Sequence, residues 1–234
     1  MTQLYAISIR EPLSSVEYMQ LLSGASPARQ DRTSRYRFED DRLRGVLGDG
    51  AVRYLLQKEQ IVPDEIVCAH NEHGKPYFSN VKDRFFNVSH SGDWVLCAWS
   101  SEEVGVDVEL VRPVNMRVSN IVFHPLERNA LEETHDEKTR CELFFTFWTL
   151  KESYIKYCGK GFSMDLQSFY FQIHNGRPLL TVDGRVSPLQ FYLYQIDSQH
   201  KVAVCTSTAS APAMQQLSVE EILKTLNGKH IADN

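Results

Sequence analysis

Apolar and polar residues recur along this chain with two different periods, and together they predict an α+β fold. Helical spacing appears over residues 14–22 and 40–60, and again from about Glu142 to Tyr157, where Gly159 is a natural helix end. Helices that alternate with groups of strands indicate an α+β arrangement. Short apolar runs bounded by turn residues predict strands at 4–9, 85–89, 94–99, 104–110, 169–173, 178–182, 191–196 and 202–205.

Two details of this pattern carry further expectations. Gly48 and Gly50 interrupt the second predicted helix, so we expect something to pack closely against that helix there. A linker rich in Ser, Thr, Ala and Pro follows the last strand at 206–213. Ser218 and Glu221 then have the spacing of a capping box, which predicts a C-terminal amphipathic helix.

Composition narrows the class of protein. The chain has 234 residues, of which 42% are hydrophobic and 24% charged, so a core can form without a disulfide or metal. The five cysteines are odd in number and include no Cys-x-x-Cys pair, which favours a reducing, cytoplasmic environment. The start has no signal-peptide pattern, and no run approaches the ~20 apolar residues that span a bilayer. A net charge of −5 argues against a general nucleic-acid partner.

The predicted strand at 104–110 contains an acidic pair. Alternation along a strand sends Asp107 and Glu109 to one face and the intervening valine to the other. Two carboxylates held side by side repel each other, and a hard cation such as Mg²⁺ would relieve that repulsion. The alternative is an acidic pair that faces solvent on an amphipathic strand.

The third predicted helix offers a second candidate group. Trp148, Glu152 and Lys156 are spaced four residues apart and share one helix face. They could belong to a polar site, or Glu152 and Lys156 could form an ordinary surface pair that stabilises the helix.

Two segments could recognise anions. His90 follows a strand end and is flanked by two serines and a glycine, so it is either an anion contact or a turn histidine that bonds its own loop. A guanidinium matches phosphate oxygens, but acidic residues are mixed into the arginine-rich run, so a solvated surface stays open as an interpretation. That run contains Arg29, Arg32, Arg35, Arg37, Arg42, Arg44 and Arg53.

The order of these features resembles one family closely. Gly-Val-Asp-Val-Glu at 105–109, followed by Trp-Thr-Leu-Lys-Glu-Ser-Tyr-Ile-Lys at 148–156, resembles the signature pair of the 4′-phosphopantetheinyl transferases. Gly-Lys-Pro at 74–76 and Asn-Val-Ser-His-Ser-Gly at 87–92 are similar to the larger, Sfp-type branch, which activates peptide and polyketide synthetases. The likeness extends from the first strand to about Cys205.

This resemblance implies an architecture. The fold would be a pseudo-dimeric monomer of two similar α+β halves, at residues 1–104 and 105–206, with a tail at 207–234. Coenzyme A would bind in the cleft between the halves. Relatives tend to meet their carrier proteins near residues 115–139, the part of the chain that matches the family least clearly.

The resemblance also implies roles for individual residues. Asp107, Glu109 and Glu152 would be the Mg²⁺ ligands, and Lys156 would lie at the pyrophosphate. Arg29 and Arg32 stand where relatives often carry lysines, a change that keeps the charge and alters the geometry. The implied coenzyme A contacts are Arg29, Arg32, Arg44, Gly74, Lys75, Pro76, Ser89, His90 and Lys156.

The implied reaction is the transfer of 4′-phosphopantetheine from coenzyme A to a serine of an apo carrier protein, with release of 3′,5′-ADP. Glu152 and Lys156 would be the catalytic residues, with Glu152 a candidate to take the serine proton. Two rivals stay open at this point. One is a metal-dependent phosphohydrolase that uses the same carboxylates, and the other is a non-catalytic coenzyme A or nucleotide-binding protein.

Overall fold

The computed structural model describes residues 1–61 and 66–227 and confirms the α+β fold class. Residues 228–234 of the predicted tail lie outside the described residues. The first half contains strands β1 (Gln3–Ser8), β2 (Cys68–His70), β3 (Pro76–Phe78), β4 (Phe85–Ser91) and β5 (Trp94–Ser100). Its helices are α1 (Ser15–Ser23), α2 (Pro27–Ser34) and α3 (Glu39–Lys58).

The second half begins with strand β6. Its strands are β6 (Val104–Leu110), β7 (Phe169–His174), β8 (Arg177–Val182), β9 (Arg185–Val186), β10 (Gln190–Tyr194) and β11 (His200–Thr206). Its helices are α4 (Ser119–Val122), α5 (Pro125–Glu133) and α6 (Glu137–Cys158). The tail adds strand β12 (Ala213–Gln216) and helix α7 (Val219–Asn227).

The two halves repeat one order of elements. Each runs from an opening strand through helices and a small separate sheet to a closing pair of strands. In the first half the main sheet has the order β1-β5-β4, and in the second half it has the order β6-β11-β10. The opening strand is antiparallel to the last strand of the pair in both cases. This repeat agrees with a pseudo-dimeric arrangement.

The two main sheets share one core and carry their helices on the opposite faces. Aliphatic side chains of the opening strands meet in the shared core, where Leu4 and Ala6 of β1 face the valines of β6. On the outer faces α3 packs against the first sheet and α6 against the second. The expected close packing at Gly48 is present, since a Cβ there would lie 2.9 Å from a methyl group of Val88.

The tail belongs to the first half. Strand β12 pairs in parallel with the free edge of β1, and α7 packs against α3 through Ile222 and Leu223. The predicted capping box is present, with Ser218 Oγ accepting from the Glu221 backbone N–H at 3.1 Å and Glu221 accepting from the Ser218 N–H at 2.9 Å. The predicted linker therefore ends in a strand, and the tail covers a sheet edge that would otherwise be unpaired.

Elements with little apolar patterning were missed or shortened. Helix α6 starts at Glu137, capped by Asp136, rather than at Glu142, because its first turn is polar. Helix α2 is almost entirely polar and has no apolar period to detect. The other elements that the pattern did not predict are α4, α5, β2, β3, β9 and β12. Across the described ranges, no helix is long and apolar enough to cross a membrane.

Candidate active site

A pocket of about 280 Å³ lies where the halves meet, between β4, β6 and α6. The sequence-predicted residues Ser89, His90, Asp107, Glu109, Glu152 and Lys156 all line it. Val88 and Trp148 complete the lining. Three segments that are far apart in the sequence therefore supply one polar site.

The approach of β6 to α6 depends on Gly105. A Cβ at this position would lie 2.0 Å from the Ser153 carbonyl oxygen and 2.5 Å from the Tyr157 amide nitrogen. Only a residue without a side chain allows this strand to lie directly on the helix backbone. The contact brings the acidic face of β6 next to Glu152 and Lys156.

Strands β4 and β6 are joined by side chains in place of a backbone ladder. Alternate polar residues of β4 accept hydrogen bonds from alternate backbone N–H groups of β6, because residues two apart on a strand share a face. The bonds run from Val106 N to Asn87 Oδ1 at 2.9 Å, from Val108 N to Ser89 Oγ at 3.3 Å, and from Leu110 N to Ser91 Oγ at 3.1 Å.

Ser89 and Ser91 of β4 also bind the two carboxylates of β6. Ser89 Oγ donates to Asp107 Oδ1 at 2.8 Å and accepts from Lys156 Nζ at 2.8 Å. Together with the bond from the Val108 N–H, these contacts use the one donor and two acceptor positions of a serine hydroxyl. The Ser89 hydroxyl is therefore fully engaged within the protein.

Glu109 is held at both oxygens. Ser91 Oγ donates to its Oε2 at 3.0 Å, and the Trp148 indole N–H donates to its Oε1 at 3.2 Å. The role of Ser91 was not predicted, and Trp148 was placed only by its helix face. The alternation Asn87-x-Ser89-x-Ser91 on one strand face was the signal that could have found this arrangement.

The three carboxylates are costly to ionise where they lie. Burial raises the pKa of Asp107, an effect that the Lys156 ammonium 2.6 Å away opposes. Burial and the neighbouring Asp107 charge raise the pKa of Glu109. Burial, followed by the charge of Asp107, raises the pKa of Glu152 to about 7. Raised carboxylate pKa values that share one pocket are typical of a functional site.

The donor set fits a hard cation. Asp107 Oδ2 and Glu152 Oε1 are buried and have no hydrogen-bond partner, and such oxygens are costly unless something satisfies them. Carboxylate oxygens are the ligands that Mg²⁺ prefers. No group of three or more His, Cys, Asp or Glu side chains is already arranged around a metal position in the part of the chain that the structure describes. Lys156 instead holds Asp107.

The basic residues lie around this pocket or beyond it. His90 lies at its rim, where desolvation and then the positive charges of Arg44 and Lys156 lower its pKa. Arg44 donates to the Gly92 carbonyl at 2.6 Å and pairs with Asp41 at 2.7 Å. Arg29 faces Asp49 at 3.8 Å. Arg32 is exposed on α2.

The Gly-Lys-Pro segment lies apart from the pocket lining. Gly74 is in the β2–β3 turn, with a φ of 87°. The Lys75 ammonium is almost enclosed and bonds Glu103 at 2.6 Å, the Tyr157 carbonyl at 3.0 Å and the Val104 carbonyl at 3.3 Å. The described residues that line the pocket do not include Gly74, Lys75 or Pro76. They also do not include Arg29, Arg32 or Arg44.

Comparisons with known proteins identify the family of this chain. The profile of the 4′-phosphopantetheinyl transferase superfamily matches residues 103–205, and a profile for the N-terminal part of such a transferase matches residues 11–102. 4′-Phosphopantetheinyl transferase Sfp of Bacillus subtilis is 33% identical over 94% of this chain and 100% of its own length. The chain belongs to the 4′-phosphopantetheinyl transferase family.

Two further relatives of this phosphopantetheinyl transferase carry the same description. The transferase ffp of Bacillus subtilis is 31% identical over 94% of this chain and 100% of its own length. The transferase gsp of Aneurinibacillus migulanus is 30% identical over 92% of this chain and 90% of its own length. The protein is an enzyme that transfers phosphopantetheine to carrier proteins, and neither the phosphohydrolase nor the non-catalytic alternative is favoured.

One buried pair behind the pocket of this transferase was not predicted. Lys151, next to Glu152, is fully buried with Glu127 of α5, and their charged atoms are 2.9 Å apart. Lys151 also donates to the carbonyls of Leu166 and Phe169, each at 2.8 Å. Successive side chains of a helix point ~100° apart, so Lys151 points to one side of the face that Glu152 presents to the pocket. Its partner lies on a separate helix and leaves no signal in the sequence.

Proposed function

We propose that this transferase is a Mg²⁺-dependent enzyme of the Sfp type that binds coenzyme A across the junction of its two halves. The observation that carries the proposal is the meeting of Asp107, Glu109, Glu152 and Lys156 in one pocket. A site with three acids and one cation suits a reaction at a pyrophosphate, where a divalent ion and an ammonium share the negative charge.

Asp107, Glu109 and Glu152 would hold the Mg²⁺ ion. The two unpartnered oxygens, on Asp107 and Glu152, support this assignment, as does the raised pKa of all three carboxyl groups. When bound, the ion supplies neutralisation of the pyrophosphate charge. The hydrogen bonds of Ser91 and Trp148 to Glu109 orient that carboxylate from the protein side.

The transfer itself is a displacement reaction at phosphorus. A carrier serine oxygen forms a bond to the β-phosphorus, and the bond from that phosphorus to the oxygen bridging to the α-phosphate breaks, so that 3′,5′-ADP leaves. The serine proton passes to Glu152, directly or through water. Burial raises the pKa of this carboxyl above that of an exposed one, which favours its accepting a proton. Lys156 stabilises the charge that develops on the leaving oxygen.

The remaining assignments concern coenzyme A binding. His90 and Ser89 lie at the pocket beside Lys156, and His90 would contact the phosphates. A direct contact of the Ser89 hydroxyl stays a prediction, because three groups of the protein already engage it. Arg44, whose charge acts on His90, would join Arg29 and Arg32 at the remote 3′-phosphate. Gly74, Lys75 and Pro76 would border the nucleotide end, and for Lys75 a direct contact stays a prediction because protein acceptors already engage its ammonium.

The setting is proposed from the relatives and the composition. The partners would be apo carrier domains of peptide, polyketide or fatty-acid synthases, met by a cytoplasmic monomer. The similarity to the Sfp and gsp transferases supports nonribosomal peptide synthesis as the setting. Neither a nucleic acid nor a membrane is expected as a partner.

Incubation with coenzyme A and an apo carrier protein tests the proposal. We expect the intact mass of the carrier to rise by one phosphopantetheine group when Mg²⁺ is present, and to stay unchanged in EDTA. Hydrolysis of coenzyme A without a mass gain on the carrier would indicate a phosphohydrolase. Transfer at full rate in EDTA would overturn the metal assignment.

Lys156→Ala separates catalysis from binding. Lys156 would act on charge that develops in the transition state. The fold decrease in kcat of the variant should therefore be far larger than the fold increase in its KM for coenzyme A. A rise in KM alone would make Lys156 a binding residue.

A further inference from the structure

We propose that the β2–β3 turn at residues 71–75 is a clamp on the C-terminal end of α6. In this view Asn71 and Lys75 are positioning residues that act through Lys156. The inference rests on the proposed function, since it concerns the helix that carries both catalytic side chains. The turn belongs to the first half and α6 to the second, so the clamp crosses the junction.

Asn71 connects the turn to the helix end. Its Oδ1 accepts from the backbone N–H groups of His73 at 3.0 Å and Lys75 at 2.9 Å, which fixes the turn. Its Nδ2 is thereby aimed outward and donates to the Gly159 carbonyl at 2.7 Å. Gly159 ends α6 with a φ of 65°, and a Cβ there would lie 2.9 Å from Asn71 Nδ2. The amide therefore lies directly on the helix end.

Lys75 adds a charge to the same end. The last carbonyls of a helix have no partner within the helix, and a cation there also opposes the helix dipole. Lys75 Nζ donates to the Tyr157 carbonyl at 3.0 Å, with only 12% of its side chain exposed. It also bonds Glu103 and the Val104 carbonyl at the start of β6. One ammonium thus joins the two elements that supply the carboxylates.

This placement matters for the reaction because Lys156 precedes Tyr157 directly. A helix end that shifts along its axis would carry the Lys156 ammonium with it, and a misplacement of ~1 Å can reduce a rate about a hundred-fold. The clamp should therefore control kcat through geometry, without a direct contact between Asn71 and the substrate.

Asn71→Asp is the most informative variant. It keeps the Oδ1 that organises the turn but replaces the donor with an oxygen that faces the Gly159 carbonyl. We expect kcat for carrier modification to fall by about ten- to a hundred-fold, with KM for coenzyme A within about three-fold. The matched control is Asn175→Asp, which makes the same change in the exposed β7–β8 turn and should leave both constants unchanged.

Lys75 variants test the charge. Lys75→Met should lower kcat in the same way, and Lys75→Arg should recover most of the loss. Lys82→Met, at an exposed lysine near the next strand, is the control. If Lys75→Met raises only KM, then Lys75 is a coenzyme A contact and is not part of a clamp.

Combination with Lys156→Ala shows whether Asn71 acts through that lysine. We expect the double variant to be no slower than Lys156→Ala alone, whereas a general loss of structure would multiply the two effects. Hydrogen exchange over residues 153–160 gives a readout that needs no activity, and it should quicken in Asn71→Asp but not in Asn175→Asp. Multiplicative losses or unchanged exchange would overturn the clamp. Failure of the wild-type protein to modify a carrier would instead overturn the proposed function.

Discussion

Strands β1 and β6 open the two halves and occupy equivalent places, yet they turn different side chains toward their helices. β1 directs Tyr5 and Ile7 into the apolar core beneath α3. β6 directs Gly105, Asp107 and Glu109 toward α6. Their other faces are alike, because both contribute aliphatic side chains to the shared core. Equivalent strand positions therefore carry apolar core residues in one half and the carboxylates of the pocket in the other.

The helices differ in the same sense. The buried positions of α3 are glycine, alanine, valine and leucine, with no charged residue among them. Helix α6 buries Lys151, Thr149 and Ser153 and presents Glu152 and Lys156 to the pocket. Buried charge costs stability unless it is paired, so α6 depends on the ion pairs of Lys151 and Lys156, whereas α3 depends on apolar packing.

The sheet edges explain where the pocket lies. The edge of β1 is closed by β12, which completes an ordinary backbone ladder. The edge of β6 is approached by β4 through side chains alone, so serines stand where backbone groups would otherwise pair. A junction of this kind leaves room for polar groups, and the site occupies it.

The largest expected effect comes from the buried pair behind the site. Lys151→Met should leave the Glu127 charge buried without its partner and lower the free energy of unfolding by about 3 to 5 kcal/mol. The control Lys201→Met removes a lysine from a partly exposed pair with Glu142 and should cost at most about 1 kcal/mol. Urea unfolding measures both. Equal losses would show that α6 is held as α3 is, by apolar packing.

The next largest effect is a loss of stability where β6 lies closely against α6. Gly105→Ala should cost about 3 kcal/mol or more, because the added methyl meets helix backbone that cannot move away. Gly48→Ala on α3 meets a side-chain methyl of Val88 and should cost nearer 1 kcal/mol. Thermal unfolding of the two variants compares the halves directly. A milder effect at Gly105 would contradict the close contact of β6 with α6.

Ligand binding by the first half is tested with dephospho-coenzyme A. If Arg29, Arg32 and Arg44 recognise the 3′-phosphate, each alanine variant should weaken coenzyme A by about ten- to a hundred-fold, as expected for a charge-assisted contact. Dephospho-coenzyme A, which lacks that phosphate, should bind almost as before. Calorimetric titration of both ligands forms a double-mutant cycle. Equal losses would assign the arginines to the fold or the pyrophosphate.

The smallest effect is a pH dependence of stability. The pKa of Glu152 is raised to about 7, so the cost of ionising it is absent at acidic pH and complete above neutrality. Without metal, Glu152→Gln should therefore be about 1 to 2 kcal/mol more stable than wild type near pH 8 and similar to it near pH 4. Glu142→Gln on the same helix should show the opposite trend, since Lys201 lowers the pKa of Glu142. If the free energy of unfolding changed with pH in the same direction for both variants, the prediction for Glu152 would be wrong.

Much of the fold was predictable because the core elements have strong periods. The alternating valines of β6 and the apolar spacing of α3 identify those elements without any tertiary information. Elements held by tertiary contacts were harder to predict. Strand β12 reads Ala-Met-Gln-Gln and becomes a strand only because β1 offers a free edge.

The candidate site divides in a similar way. Alternation and helical spacing, together with the family resemblance, predicted that four of its residues belong to one site: Asp107, Glu109, Glu152 and Lys156. The roles of Asn71 and Ser91 were not predicted, because each depends on a partner in the other half of the chain. Hydrogen bonds between distant segments leave no local pattern in the sequence.

The most direct test of the central claim is the rate at which Asp107→Asn modifies an apo carrier. The variant keeps the shape of the side chain and removes one of the two charges that distinguish β6 from β1. With Mg²⁺ and coenzyme A in excess, we expect the mass gain on the carrier to slow by about a thousand-fold or more, equivalent to ~4 kcal/mol. The circular dichroism spectrum and melting temperature should match or exceed those of wild type. A folded Asp107→Asn protein that modifies its carrier at a near-normal rate would contradict the account.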